Sequence, residues 1–217
     1  MSTANMRGDQ RLYGTRSGDV DETTHSKKRK NMRGRKGKYY SQVDDEDQTF
    51  LEQERRMIDG QISLDELKLS DAELKGLQKI VVLACGTAYH AGLVSKYAIE
   101  KWGGISVDVE LASEYRYREP SVDKKTVVIP ISQSGETMDT LMAMRYAKER
   151  GAKIFSVCNT NGSTIPRESD AVLYTHAGPE IAVASTKAFA TQLVAMFLIG
   201  LHIGRERGTM NSKDAEN

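Results

Sequence analysis

Cysteine is scarce in this chain: among 217 residues only Cys85 and Cys158 carry thiols, and neither belongs to a disulfide or metal-binding spacing. Both close segments that read as buried strands, which marks them as reduced thiols in a reducing compartment. Charge of one sign is lacking too. Lys and Arg number 31 against 30 Asp and Glu, a formal net charge of +1, so nothing pulls the whole chain toward nucleic acid. No apolar run approaches the ~18–20 residues that cross a bilayer, and the amino-terminal residues lack the apolar centre of a secretory signal. A cytoplasmic location with no membrane contact is therefore expected. Gly-x-Gly-x-x-Gly, a Walker loop and metal-ligand strings are all missing, which disfavours dinucleotides and nucleoside triphosphates; no cofactor and no metal are expected.

What is present changes character along the chain. Residues 1–48 are polar, poor in large aliphatics and rich in Gly, Ser, Thr, Arg and Asp, so they cannot bury enough surface to offset chain entropy and read as a disordered arm. Within it, Lys27-Lys28-Arg29-Lys30 and Arg33-Gly34-Arg35-Lys36-Gly37-Lys38 form a basic block, answered by Asp44-Asp45-Glu46-Asp47. Blocks of this kind are usually solvated, and nucleic-acid contact is not favoured. Residues 49–77 carry Leu51, Met57, Ile58, Ile62, Leu64, Leu67 and Leu69 at loosely helical spacing and read as a helical lead-in, with a capping box at Ser70-Asp71-Ala72-Glu73.

From residue 78 to 207 the pattern is regular, and residues 208–217 form a polar tail. Strands are expected over 79–84, 106–111, 126–131, 153–158 and 171–175. Helices are expected over 88–102, 137–150 and 186–205, with a short turn over 113–117. Continuously apolar strands such as Ile80-Val81-Val82-Leu83-Ala84 suit a parallel sheet covered on both faces. The fold class is therefore α/β: a doubly wound, open parallel sheet of about five strands, flavodoxin-like, whose ligand would lie beyond the carboxyl ends of the strands.

The most telling loop is Ser132-Gln133-Ser134-Gly135-Glu136-Thr137, between the apolar run Val127-Val128-Ile129-Pro130-Ile131 and a helix. A buried strand that turns into a helix through small hydroxyl residues leaves backbone N–H groups at the positive end of the helix dipole, where anions bind. Hydroxyls on Ser132, Ser134 and Thr137 add donors, Gly135 lets the backbone approach a ligand, and the Gln133 amide suits a sugar hydroxyl or phosphate. An ordinary helix cap is the plain alternative.

Three further loops follow strands. Cys85-Gly86-Thr87-Ala88 enters a helix with Thr87 at its start. Arg116 and Arg118 in Ala112-Ser113-Glu114-Tyr115-Arg116-Tyr117-Arg118 could hold an anion but are as readily a subunit contact or a salt bridge to nearby acids, and the subunit contact is preferred. In the segment from Gly178 to Lys187, Ser185 and Thr186 stand where N-caps stand. Lys187 in a first helical turn runs against the dipole, which a ligand anion would compensate, although a solvent-facing cation is the favoured reading of that residue alone. His90, His176 and His202 have no neighbouring Ser or carboxylate set for relay chemistry, so no catalytic residue is assigned. Glu180 reads as a solvated loop carboxylate.

In this order the strings Ala84 to Gly92, Ala112 to Arg118, Ile131 to Thr137 and Glu180 to Phe189 resemble the first sugar isomerase (SIS) domain of the glutamine–fructose-6-phosphate aminotransferases, also called glucosamine-6-phosphate synthases. The likeness covers about residues 64–207. It implies that fructose 6-phosphate, given an amino group as ammonia and isomerised to glucosamine 6-phosphate, is held here. By motif position, Ser132, Gln133, Ser134, Gly135 and Thr137 would bind the phosphate, while Thr87, Val183 and Ser185 would contact the sugar. Ala88 replaces a serine found in many members, so it could contribute only its N–H.

The family's glutaminase domain with its terminal cysteine, its second SIS domain with the Glu and His that move protons, and its tail Lys have no counterpart here. A fragment, a truncated reading frame or a diverged remnant is the expectation, with a sugar phosphate as small-molecule partner and a homodimer as its assembly. The alternative is a non-catalytic SIS module that senses a phosphosugar, its basic arm touching nucleic acid. A stand-alone phosphosugar isomerase ranks last, because the Glu180 to Phe189 string is not expected there.

Overall fold

Segments rich in Val, Ile and Leu become the strands of one parallel sheet, and the loops that leave them carry most of the polar residues singled out above. The computed structural model of the protein describes residues 57–58, 61–62, 64, 70–180 and 185–210. In chain order its elements are β1 (Met57–Ile58), β2 (Gln61–Ile62), α1 (Asp71–Gly76), β3 (Lys79–Ala84), α2 (Gly86–Gly103), β4 (Ser106–Leu111), α3 (Ala112–Tyr115), β5 (Thr126–Ser132), α4 (Met138–Glu149), β6 (Lys153–Cys158), α5 (Thr164–Glu168), β7 (Ala171–Tyr174) and α6 (Lys187–Glu206).

The sheet runs β4-β3-β5-β6-β7, every neighbouring pair parallel. This is the doubly wound order expected. The chain moves outward from β3 to β4, then crosses back to β5, so the switch in direction lies between β3 and β5. Pro130 stands inside β5, a central strand. Pairing with β6 joins Val127, Val128, Ile131 and Ser132 but skips Ile129 and Pro130, as it must where one residue has no N–H to give.

Side-chain alternation divides the core in two. Ile80, Val82, Ile129, Ile131, Phe155 and Val157 face α2 and α6, whose Ile99, Met196, Ile199 and Ile203 are buried against them. Val81, Leu83, Val128 and Ile154 face the opposite way and pack on Leu141, Met144 and Ala147 of α4. Helix α2 approaches the sheet at Gly92, where a Cβ would lie 2.9 Å from Val82. Helices α2 and α6 meet over glycine too: a Cβ on Gly204 would stand 2.6 Å from the Trp102 carbonyl oxygen.

Three sequence expectations need correction. The lead-in is not helical throughout: among its described residues β1 and β2 pair antiparallel, Met57 with Ile62 and Ile58 with Gln61, and α1 is helix. The Asp59-Gly60 pair between them is a dipeptide that favours two-residue hairpin loops, and two-residue strands carry too little periodicity to announce themselves. Residues 208–217 are not tail throughout, since Thr209 and Met210 donate their N–H groups to Gly204 at 2.9 and 3.2 Å and close the end of α6. The third concerns apolar length. Helix α6 spans 20 residues with a mean hydropathy of 1.4 over its most apolar window, enough to cross a membrane by length and composition, and half of that window is buried in this fold. Thr191, Gln192 and His202 interrupt the apolar run without lowering the average enough. The capping box is observed: Ser70 Oγ accepts from the Glu73 N–H, and Glu73 accepts from the Ser70 N–H at 2.9 Å. The short helical turn expected over 113–117 is observed as α3. The arm of residues 1–48 lies outside the described residues.

Candidate functional site

Parallel strands deliver their following loops to one edge of the sheet, so α2, α4 and α6 all begin at the carboxyl ends of β3, β5 and β7. None of the three is capped by the side chain at its N-cap position, occupied by Cys85, Thr137 and Thr186. Helix geometry leaves the first amides of each without intrahelical acceptors, and the three positive dipole ends share an edge.

The loop from Ser132 to Thr137 is shaped from within. Ser132 is 3% exposed; its Oγ accepts from the Gly135 N–H at 2.9 Å and lies 3.1 Å from Thr137 Oγ1. Ser134 Oγ accepts from the Glu136 N–H at 3.2 Å, which leaves its own proton to donate. Gly135 holds φ +66°, and a Cβ there would fall 1.9 Å from Ser163 Oγ. Only glycine fits. Gln133, Ser134 and Thr137 are half-buried around the start of α4.

A second turn, between β6 and α5, supports that loop. The Gln133 carbonyl accepts from Thr160 N–H and Oγ1 at 3.2 and 3.1 Å, and the Gly135 carbonyl accepts from Ile165 N–H at 2.9 Å. The Glu136 carboxylate accepts from Thr164 Oγ1 and N–H at 3.1 and 2.7 Å, bonds that hold its pKa below the ordinary carboxylate value. On its other side the turn offers Asn159, whose Oδ1 accepts from Ala177 N–H at 2.7 Å and Thr175 Oγ1 at 3.1 Å, while its Nδ2 donates to the Gly178 carbonyl at 2.8 Å. Between these groups lies a cleft of about 420 Å³ lined by Gln133, Asn159, Thr160, Asn161, His176, Gly178 and Pro179. Its lining is hydroxyl, carboxamide, imidazole and backbone, a chemistry for polar groups, and of the expected site residues it includes Gln133 but not Thr87, Ala88, Ser132, Ser134, Gly135, Thr137 or Ser185.

The model of the SIS domain family matches residues 73–200, more than half of the chain. This chain belongs to the SIS domain family. A glutamine–fructose-6-phosphate aminotransferase of Streptomyces coelicolor is 65% identical over 150 residues, which is 69% of this chain and 24% of that protein. The same enzyme of Corynebacterium diphtheriae is 61% identical over 151 residues, 70% of this chain and 24% of its own length. The C-terminal domain of glucosamine-fructose-6-phosphate aminotransferase from Francisella tularensis superposes with a TM-score of 0.71 at 39% identity, covering 78% of this chain and 49% of that one. The chain thus spans about a quarter of the length of the curated relatives it matches.

Within the SIS domain, the expected site residues fall as follows. Thr87 is half-buried in the first turn of α2, directly after Gly86 at φ +59°, whereas Ala88 is buried in the core against α6. Ser185 is half-buried before α6; Val183 lies outside the described residues. Glu180 departs from its expectation as a merely solvated carboxylate. Its Oε2 accepts from the Ala188 N–H at 3.2 Å, so a protein carboxylate sits at the start of α6 and answers the dipole there. Arg118 pairs with Glu110, and Arg116 lies over the Tyr117 ring at 4.6 Å. Sequence reasoning missed Asn159, Thr160 and Asn161, although Asn-Thr-Asn-Gly directly after an apolar strand is a signal of the same kind as the serine corner. It also set aside His176, which holds φ +50° in the cleft wall. Among the described residues no group of three or more His, Cys, Asp and Glu is placed to hold a metal.

Proposed function

We propose that this SIS domain is the sugar-phosphate-binding half-site of a glutamine–fructose-6-phosphate aminotransferase, working in the cytoplasm. The observation that carries the reading is the Ser132 to Thr137 loop around the start of α4, whose N-cap side chain makes no cap bond and whose Ser134 hydroxyl keeps a proton to donate. Ser134, Thr137, Gln133 and the amides of the α4 start hold the phosphate. Ser132 braces the loop beneath them, and Gly135 keeps it close to the ligand. Thr87, the Ala88 N–H, Val183 and Ser185 contact the sugar.

In the full reaction the sugar ring opens, ammonia adds at the ketose carbonyl, and a proton moves between adjacent carbons. This half-site orients the substrate for those steps, and orientation alone lowers a barrier substantially. The high identity to the aminotransferases over the loop-bearing segment supports this substrate over other phosphosugars. Titration with fructose 6-phosphate or glucosamine 6-phosphate should raise the melting temperature, and Ser134→Ala with Thr137→Ala should remove most of the rise. No shift with either ligand at millimolar concentration overturns the proposal.

A further inference from the structure

We infer that Asn159 is a positioning residue that sets the register between the phosphate-holding loop and the segment leading to the sugar-holding loop. The inference rests on the proposed function for its ligand and on the geometry for its mechanism. The phosphate-holding loop and the segment that leads toward Ser185 leave different strands, β5 and β7, and β6 stands between them. The turn after β6 is therefore placed to bridge them.

That turn holds one side through Thr160 and the other through Asn159, adjacent residues in one rigid connection. Thr160 gives two bonds to the Gln133 carbonyl, and Ile165 one to the Gly135 carbonyl. Asn159 makes three bonds with both ends of its carboxamide: Oδ1 accepts from Thr175 Oγ1 and Ala177 N–H, and Nδ2 donates to the Gly178 carbonyl. Only a side chain that both accepts and donates can make that set. Aspartate keeps the acceptors and sets a carboxylate against the Gly178 carbonyl; alanine keeps nothing.

The segment so held includes His176 at φ +50°, a conformation that a side-chain-bearing residue rarely keeps without outside support. Three bonds from one amide, flanking that residue on both sides, supply the support. Asn159 in this account touches no reacting atom; it acts through the loops it spaces.

The experiment uses the full chain, with hydrogen exchange and binding measured on wild type, Asn159→Ala, Asn159→Asp and Thr160→Val. In Asn159→Ala, amides of residues 175–180 should exchange faster while those of 133–137 stay protected. Affinity for fructose 6-phosphate should fall about tenfold, the loss expected of a hydrogen-bonded brace, with affinity for inorganic phosphate unchanged. Asn159→Asp should fall between. Thr160→Val should do the reverse, loosening 133–137 and weakening both ligands equally.

A change in phosphate affinity equal to the change in sugar-phosphate affinity would reduce Asn159 to general stability and overturn the inference. So would unchanged exchange at 175–180. If wild type binds neither ligand, the proposed function falls and takes the ligand half of the inference with it. The exchange data then decide the spacing role alone.

Discussion

Gly135 and Ser163 stand so close that a single added methyl group on the glycine would reach within 1.9 Å of the serine hydroxyl. The contact joins the loop after β5 to the turn after β6, the two walls from which the candidate site rises. Gly135→Ala would meet both a left-handed backbone and a steric conflict, for a combined cost of about 2–4 kcal/mol. Chemical denaturation should show that loss, and sugar-phosphate binding should vanish even where the variant remains folded. Gly135→Ala in combination with Ser163→Gly relieves the clash but not the backbone, so it should recover only part of the stability. Full recovery would show that φ is not the constraint.

Much of this arrangement is legible in the residues. Five apolar runs separated by helix-sized intervals are enough for a parallel sheet, because a strand buried on both faces has no polar alternation to disguise it. The serine corner is legible because its chemistry is local: a strand end, small hydroxyls and a glycine within six residues. Asn159 was opaque for the opposite reason, since its partners Thr175, Ala177 and Gly178 are 16–19 residues away and nothing near it in sequence announces them. Glu180 was opaque likewise, its acceptor role depending on how the chain returns to begin α6. The β1–β2 pair was missed because two residues per strand cannot establish a period of two.

Acid should weaken the fold over a window set by its exposed carboxylates. Glu73 is held down to about 2, chiefly by its bond to Lys153 and then by Ser70; Glu136 is lowered by the Thr164 hydroxyl and N–H, and Glu168 by Arg145. A lowered folded value means that the unfolded chain takes up its protons first. Stability is thus complete above the ordinary carboxylate value of 4.5 and declines as pH falls through the folded values, the last of it near 2 for Glu73. Solvent screening keeps each contribution small. Melting temperatures measured from neutral pH down to about pH 2 should follow that decline, and Glu136→Gln should lower the plateau while making the slope shallower. An unchanged slope would remove Glu136 from the account.

The two thiols should separate cleanly by reactivity. Cys158 is fully buried, and burial pushes its thiol up to about 12, so almost none is ionised near neutrality. Cys85 is half-buried at the entrance to α2, beside Gly86 and Thr87. Alkylation of the native protein near pH 8 should modify Cys85 alone, and mass spectrometry should find Cys158 labelled only after denaturation. Fructose 6-phosphate should slow the labelling of Cys85 if Thr87 contacts the sugar. Equal labelling of both cysteines in the native state would contradict the burial of β6.

Arg207 joins three parts of the chain. Its Nη1 donates to the Leu74 and Leu77 carbonyls at 2.7 and 2.9 Å, and its Nε donates to the Gly103 carbonyl at 3.0 Å. These are the carboxyl ends of α1 and α2, where unpaired carbonyls and the negative end of each dipole favour a cation. Arg207→Ala should cost about 2–3 kcal/mol, the scale of charge-assisted hydrogen bonds to buried acceptors. Arg207→Lys should recover less than half, because one ammonium cannot span acceptors on two elements as a planar fork does. Equal stability of the Lys variant and wild type would reduce the role to charge alone.

Self-association is expected through the outer face of the α2–α6 layer. Leu93, Val94 and Tyr97 of α2 are 36%, 47% and 74% exposed, and Val194 of α6 is 41% exposed, although the two helices pack closely against each other on their inner sides. Large apolar side chains gathered on two adjoining helices lose free energy to water that a second copy of the chain would recover by burying them. Sedimentation equilibrium at micromolar concentration should therefore report a dimer. Val94→Asp with Tyr97→Asp places charge in that face without touching the core and should return the monomer with unchanged helix content by circular dichroism. A wild-type monomer, or a dimer indifferent to both charges, would exclude this face as the contact.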